Sequence, residues 1–150
     1  MVEIKHKNTG KVLFKHDGES MVGLNLTAVN FAGADFTSVD LSKTRLHSCN
    51  LSEAVFNESE LNDARFQNCV MRRVEFRHAS LNRTNFSDNV LDMANFAEAL
   101  GEKTQFRHCK MNAPTWKGVI FRTRIFHLQR CGIRISTVHV FRKPTYMVRS

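Results

Sequence analysis

Cysteine and histidine are the residues of this chain best suited to metal binding, redox chemistry or nucleophilic catalysis. The sequence numbers of Cys49, Cys69 and Cys109 differ by multiples of 20, and seven histidines are spread along the chain. The sequence contains no CxxC pair, no HExxH motif and no glycine-rich phosphate loop, which are local arrangements that such chemistry uses. We therefore expect no enzyme activity, no metal site and no cofactor.

Composition and charge exclude several classes of protein. The 150 residues are 42% hydrophobic and 24% charged, as in globular rather than disordered chains. No apolar run approaches the roughly 20 residues of a membrane span, and the start lacks the apolar core of a signal peptide. Four cysteines without paired spacing predict a reducing compartment, most simply a cytoplasm. The net charge of +8 disfavours an acidic, DNA-like surface and leaves room for an acidic partner.

The elements that must position these residues repeat with a period of five. Ten of the twelve phenylalanines fall at positions separated by multiples of five. From position 26 to position 126, 20 of the 21 grid positions are large and apolar, and 18 of the 21 positions two places earlier hold Ala, Val, Ser, Thr, Cys or Pro. Neither helical nor strand periodicity keeps every fifth side chain on one face. Each pentad is therefore predicted to be a short extended side followed by a corner, with the large and the small residue pointing inward.

Several pentads resemble the A(D/N)LXX unit of pentapeptide-repeat proteins, for example ADFTS at 34–38, CNLSE at 49–53 and ANFAE at 94–98. The resemblance covers residues 24–126. It implies an all-β fold, a right-handed quadrilateral parallel β-helix in which each coil contains four pentads. We expect about five coils, an N-terminal β-hairpin cap at 1–23 and a basic, strand-like C-terminal cap or tail at 127–150.

Stacking every fourth pentad gives four columns of core side chains. Two opposite columns are largely aromatic, and the other two are mostly aliphatic. Gly101 interrupts an aliphatic column, which predicts the weakest coil and a small bulge. The predicted structural core is Phe36, Phe56, Phe76, Phe96, Trp116, Phe66, Phe86, Phe106, Leu51, Leu61, Leu81 and Leu91.

The same stacking places the cysteines in one inward column of small residues. There they act as small apolar side chains, and Asn89, in the same column, needs hydrogen bonds for its buried amide. Parallel side chains on successive coils do not have disulfide geometry. We interpret the three thiols as structural.

The histidines fall on outward positions that do not form a catalytic group. His47 and His127 share a column but lie four coils, or roughly 19 Å, apart. The pattern places no carboxylate beside His108. Opposite charges are predicted to stack on successive coils at solvated positions, with Glu53 beside Arg73. A second such pair joins Arg72 to Asp92.

Charge and exposed apolar residues suggest two kinds of binding surface. Residues 26–100 carry a net charge of −3, whereas residues 101–150 carry +10. This basic end predicts either an anion-binding surface or a solvated cap. Outward apolar residues also stack, Val70 with Val90 and Leu100 with Ile120, which suggests contact with another protein or simple strand propensity. The candidate binding residues of the basic end are Arg122, Arg124, Arg130, Arg134, Arg142 and Lys143.

The leading hypothesis is a non-catalytic, rigid interaction scaffold that binds another protein. The first alternative is binding of nucleic acid or an acidic partner through the basic C-terminal third. A third is modulation of DNA gyrase, implied by the resemblance to family members that imitate DNA, although the charge of +8 opposes it. We expect no membrane association, and a monomer or a dimer formed through the C-terminal end.

Overall fold

The computed structural model describes residues 1–121 and the backbone of residues 139–140, and in these residues it contains strands, turns and bends but no helix. The predicted all-β repeat fold is confirmed. The number of coils, the two caps and the domain boundaries stay predictions. The strands are β1 Val2–His6, β2 Val12–His16, β3 Asn25–Thr27, β4 Ala34–Asp35, β5 Arg45–His47, β6 Arg65–Gln67, β7 Leu100–Gly101, β8 Ile120–Phe121 and β9 His139–Val140.

Parallel pairing between each pentad and the fourth pentad after it holds the coils together. Strand β3 pairs with β5 in the register Leu26 to Leu46, and β5 pairs with β6 in the register Leu46 to Phe66. Isolated bridges at the same spacing continue along the other sides, from Asn30 with Asn50 to Asn95 with Thr115. One coil therefore contains four pentads, which gives the prism four walls.

The four walls are named by their central, large residues. Wall A has residues 26, 46, 66, 86 and 106 at its centre, and wall B has 31, 51, 71, 91 and 111. Wall C has 36, 56, 76, 96 and 116, and wall D has 21, 41, 61, 81, 101 and 121. The residues directly before and after each central residue point outward, and the residue two places after it forms the corner. Met21, one step before the predicted grid, is also buried.

Each corner requires a left-handed backbone conformation. Seventeen non-glycine residues have positive φ, from Ala28 at 55° to Ala113 at 49°, and Gly33 and Gly118 occupy the same position. On walls B, C and D many corners close with a hydrogen bond from the N–H of the small residue to the preceding central carbonyl, as from Ala54 N–H to Leu51 O at 3.0 Å. Positive φ at the third of four residues with this closure is the type II turn.

The Asp or Asn directly before a central residue accepts a hydrogen bond from the backbone N–H two residues later. Asp35 Oδ1 accepts the N–H of Thr37 at 2.9 Å, and Asn50 Oδ1 accepts the N–H of Ser52 at 3.1 Å. Each side chain thus provides a hydrogen-bond acceptor for a backbone N–H that makes no hydrogen bond to the next coil. On wall A the chain instead forms the three-residue strands β3, β5 and β6, and the residue before the centre is arginine in β5 and β6.

Aromatic rings fill the shaft from end to end of the described coils. On wall C, Phe36, Phe56 and Phe76 stack face to face with centroids 4.7 and 5.1 Å apart. Wall C continues through Phe96 to Trp116 at 5.0 and 4.7 Å. The rings of wall A stand at right angles to these, so the two columns interlock edge to face. This is a favourable arrangement for aromatic quadrupoles.

The N-terminal hairpin packs against the first coil. Strands β1 and β2 pair antiparallel, and β1 also pairs antiparallel with β4 through Lys5 with Asp35. Ile4 is buried, and the Phe14 ring meets Phe31 edge to face at 5.6 Å. The hairpin therefore covers apolar side chains that the first coil would otherwise expose.

Gly101 does not interrupt the prism, and the predicted bulge is wrong. Strand β7 pairs with β8 without a register shift, Leu100 with Ile120 and Gly101 with Phe121. A Cβ on Gly101 would lie 2.7 Å from carbons of the Phe121 ring. The ring from the next coil thus occupies the space that a side chain at residue 101 would need. Strand β9 pairs with β8 in the register His139 to Ile120, whereas the 20-residue spacing of the earlier coils would pair Ile120 with residue 140. The spacing between paired residues is therefore one residue shorter here.

Candidate functional site

The twelve side chains predicted as structural core are all buried. Trp116 is the most accessible, at 9%, and the others are at 1% or less. They belong to one continuous hydrophobic cluster, so side chains fill the interior of this part of the molecule. Any functional surface formed by the described residues must therefore lie on the outward walls or at the corners.

The cysteines of the inward column lie at hydrogen-bond distance from backbone carbonyls. The buried Cys49 and Cys69 thiols are free, and their sulfur atoms lie 3.6 and 3.4 Å from the carbonyl oxygens of Leu26 and Leu46. The neighbouring Cys49 thiol and burial both raise the pKa of the Cys69 thiol. The Cys69 thiol, which stays protonated and lies against a carbonyl, is therefore a poor nucleophile. The geometry of this column is that of small packing residues.

Asn89 replaces cysteine in the same column and is fully hydrogen bonded, as its burial requires. Its Nδ2 donates to the carbonyls of Phe66 at 2.8 Å and Phe86 at 2.7 Å. Its Oδ1 accepts the N–H of Cys69 at 2.7 Å. The amide therefore joins three backbone groups on two coils.

Two histidines lie beside carboxylates, and one of these contacts corrects the sequence analysis. His78 Nδ1 lies 3.4 Å from Glu98 Oε2. His108 Nδ1 lies 3.4 Å from Asp88 Oδ1, so the expectation that no carboxylate lies beside it is wrong. Asp88 is the corner residue one coil earlier, which an offset of 20 would have found. Among residues 1–121, no three His, Cys, Asp or Glu side chains are arranged to hold a metal ion.

Ion pairs between coils form at the predicted positions and at one that the sequence analysis missed. Arg73 lies 3.9 Å from Glu53, and Arg72 lies 3.7 Å from Asp92. The missed pair is bidentate: Arg83 Nε and Nη2 each donate to one oxygen of Asp63 at 2.7 Å. The hydrogen bond from Arg83 holds the pKa of Asp63 below its ordinary value.

Wall D carries a concavity of about 340 Å³ that is lined by polar and apolar residues. Leu100 is half exposed there, and Ile120 lies beside it on the next strand. Arg83 and Glu102 also line it. A mixture of exposed apolar and polar residues is typical of protein-binding surfaces. The concavity is lined by Ser80, Asn82, Arg83, Leu100, Gly101, Glu102 and Ile120.

The other predicted apolar stack, Val70 with Val90, also forms as a bridge between successive coils. Val70 is 37% exposed, and Met93 at a corner of the same wall is 52% exposed. His127 and the whole predicted basic set lie outside the described residues, the set being Arg122, Arg124, Arg130, Arg134, Arg142 and Lys143.

Comparison with known proteins gives matches to solved structures and to a family profile, whereas no curated protein matches significantly. A pentapeptide repeat protein (Rfr23) from the cyanobacterium Cyanothece 51142 is 20% identical over 68% of this chain and 87% of its own, with a TM-score of 0.44. One from the Arabidopsis thaliana thylakoid lumen is 20% identical over 65% of this chain and 61% of its own, also at 0.44. QnrB1, a plasmid-mediated fluoroquinolone resistance protein, is 21% identical over 71% of this chain and 67% of its own, with a TM-score of 0.35. In the described part, no helix is long and apolar enough to cross a bilayer.

The family profile described as "Pentapeptide repeat region" matches residues 20–96 and 59–136. These two matches overlap and together take in well over half of the chain. They coincide with the region in which each pentad pairs with the fourth pentad after it. This chain belongs to the pentapeptide repeat family.

Proposed function

We propose that this protein is a non-catalytic, rigid scaffold whose wall D binds another protein. The observation that carries the proposal is the half-exposed Leu100 that lines the wall D concavity. An outward leucine that is bridged to Ser80 on one coil and paired with Ile120 on the next exposes apolar area that a partner would cover. The filled shaft supports a binding role because it leaves the outer surface for function.

The charges around Leu100 favour a partner with a mixed polar edge. Arg83 is already paired with Asp63, and the exposed Glu102, which also lines the concavity, lies close enough to Arg83 to help raise the pKa of its guanidinium. Side-chain amides of the wall, such as Asn82, hold the backbone of the next coil through the N–H of Glu102 at 3.0 Å. The rim is therefore rigid, which lowers the entropy lost when a partner binds.

The test compares two lysine substitutions at the same pentad position. Full-length protein with Leu100→Lys, and with Thr115→Lys on wall C as the matched control, is used to capture proteins from cells of the source organism. We expect a captured protein that the wild type and the Thr115→Lys control retain and that Leu100→Lys loses. Capture that is equal for both variants, or no protein retained by the wild type, refutes the role of wall D.

Binding of nucleic acid or an acidic partner through the C-terminal third is the second candidate. Residues 101–150 contain eleven Lys and Arg and one Glu, which supports attraction of an anionic partner. Truncation after Phe126 should abolish retention on DNA at about 50 mM salt if the basic end is responsible. Unchanged retention in the truncated protein would dismiss this candidate.

Gyrase modulation is the third candidate, and it has the weakest support. One similar structure is named a fluoroquinolone resistance protein, but imitation of DNA needs a dense acidic face. Walls A, B and C each carry at most two carboxylates on their flat outward positions in the described coils. A supercoiling assay that is unaffected by excess protein would dismiss it.

The proposed setting of these functions is a cytoplasm. The Cys49 and Cys69 thiols are free, which suits a reducing compartment. Association as a dimer through the C-terminal end stays part of the proposal, and size-exclusion chromatography of the full chain and of the chain truncated after Phe126 would test it.

A further inference from the structure

We propose that wall A binds the phosphate backbone of double-stranded nucleic acid without reading its sequence. This surface lies on a different wall from the proposed protein-binding site and does not depend on it. Its centre is a concavity of about 290 Å³ formed by the outward residues of β3, β5 and β6. The side chains that line it include Asn25, Thr27, Arg45, His47, Arg65 and Gln67.

Two arginines stand directly opposite each other at this concavity. Arg45 of β5 pairs in register with Arg65 of β6, on strands that lie roughly 4.8 Å apart. Both side chains are exposed, and within the described residues their guanidinium groups make no hydrogen bond or ion pair. Like charges directly opposite on paired strands are unfavourable for folding. An anion bound between them would relieve this repulsion.

The absence of carboxylates distinguishes wall A from the other three walls. Wall A has ten flat outward positions, which are the residues directly before and directly after its five central residues. These positions hold three arginines and no Asp or Glu. The equivalent positions carry at least one carboxylate on each of the other walls, for example Asp92 on wall B, Glu75 on wall C and Glu60 on wall D. The positive charge of wall A is thus not offset by carboxylates at its own flat positions, although residues 26–100 as a whole are net acidic.

Carboxylates at the two edges of wall A are already engaged. Asp63 is held by both nitrogens of Arg83, and Asp88 lies beside His108. Counting the corner residues on both edges, the surface carries six Lys and Arg against two Asp: Lys43, Arg45, Arg65, Arg83, Lys103, Arg107, Asp63 and Asp88. The wall therefore presents a net positive surface over five successive coils.

The side-chain types favour phosphate over an acidic peptide. The outward residues of wall A are Arg, Asn, Gln, Thr, Ser and His, and most of these are the types that contact phosphate oxygens in protein–DNA complexes. No Phe, Tyr or Trp lies among them, so the wall lacks the large aromatic rings on which unpaired bases stack best. A rigid, basic wall of this kind fits a duplex held by its backbone.

The test is fluorescence anisotropy of a labelled 20-base-pair duplex with the full-length protein in 20–200 mM KCl. The variant Arg45→Gln/Arg65→Gln removes two charges from wall A, and Arg72→Gln/Arg77→Gln removes two charges from walls B and C as the matched control. We expect the wall A variant to lower the slope of log K against log salt by about 1.8, and to weaken binding at 50 mM about tenfold or more. A second duplex of different sequence should give the same result.

Several outcomes would overturn the proposal. Equal slopes for the two double variants would show that the charge of the whole chain, or the basic C-terminal third, accounts for binding. Poly-glutamate that binds as tightly as the duplex, with the same dependence on the two arginines, would assign the wall to an acidic protein. Arg107→Gln, two coils beyond Arg65, gives an independent measurement, with an expected change in slope of about 0.9. Melting of each variant, followed by circular dichroism, verifies that it is folded.

Discussion

Truncation of the Phe76 side chain tests the central physical feature of this protein, the continuous aromatic shaft. Phe76 is fully buried and lies in the middle of the wall C column. It stacks on Phe56 at 5.1 Å and on Phe96 at 5.0 Å, and it meets Phe86 edge to face at 5.1 Å. The variant Phe76→Ala would remove all of these ring contacts and leave a cavity between two coils.

The expected loss follows from the burial and the number of ring contacts. Phe→Ala substitution in a core costs about 3–5 kcal/mol through lost burial and the remaining cavity. Each aromatic pair adds about 0.5–1.5 kcal/mol beyond area burial. Because Phe76 is stacked on both sides, we expect a loss of about 4–5 kcal/mol, in the upper half of the range. Phe76→Leu keeps most of the volume and should cost about 1–2 kcal/mol.

The assay is urea denaturation followed by circular dichroism and by the fluorescence of Trp116, two coils away. Coincident transitions would show that the coils unfold together and would justify a single free energy of unfolding. Arg77→Ala is the control, because Arg77 is the outward neighbour of Phe76 and is exposed. Its free energy of unfolding should stay within about 0.5 kcal/mol of the wild type.

Two results would refute the reasoning. A loss below about 1 kcal/mol for Phe76→Ala would mean that the ring is not held in a closely packed shaft. An equal loss for Phe76→Ala and Arg77→Ala would mean that inward and outward positions are not distinguished at this wall. Either result would contradict the arrangement on which the fold depends.

Three further predictions address the backbone hydrogen bonds, the corners and one ion pair. Asn89→Ala leaves buried carbonyls unpaired and should lower the free energy of unfolding by about 2–4 kcal/mol in urea denaturation; Asn89→Cys, which restores the residue type of the column, should cost less. Ser48→Val places a β-branched residue at φ 54° and should cost about 1–2 kcal/mol, whereas Ser52→Val, just before a corner, should not; equal effects would contradict the corner geometry. Arg83→Gln should raise the pKa of Asp63, measured by NMR titration, because the guanidinium that lowers it is gone; an unchanged pKa would exclude the bidentate pair in solution. In the wild type, the stabilisation that the ion pair provides is lost as the pH falls through the lowered pKa of Asp63.

The inward positions could be predicted from the sequence because packing constrains them strongly. A large residue at every fifth position and a small one two places earlier leave few arrangements of the chain. Stacking every fourth pentad then identified Phe56 as the neighbour of Phe36. The same step identified the ion pairs of Arg73 and Arg72 with carboxylates on adjacent coils. Asn89 was correctly expected to be hydrogen bonded, since a buried amide needs partners.

A corner in each pentad was predicted, but its left-handed backbone conformation was not, because the residue type at that position varies from coil to coil. Lys43, Arg73 and Met93 all have positive φ, although none is the Gly, Asn or Asp that usually signals this conformation. The backbone ladder between coils imposes the turn whatever side chain is present. Gly101 shows the reverse case, because the missing side chain suggested a defect while Phe121 from the next coil fills the space.

The basic surface of wall A was not predicted, for a different physical reason. Exposed side chains contribute little to stability, so their types are not fixed by the fold. Arg45 and Arg65 are neighbours only because the coil returns to wall A after four pentads, and in the linear sequence each is one arginine among many. Sorting outward residues by wall would have revealed a surface without carboxylates, a signal that net charge over sequence segments averages away.

This independence of core and walls makes the charge pattern informative. The shaft sets the spacing of the outward positions but not their chemistry, so a wall can change its partner without cost to the core. The opposed arginines of wall A are unfavourable for folding, and nothing in the packing of Leu46 and Phe66 behind them requires that charge. A pair of opposed charges that the packing does not require is best explained by a ligand. Removal of both arginines should therefore raise the melting temperature of the protein and weaken its binding to the duplex. If the arginines instead stabilised the fold, their removal would lower the melting temperature.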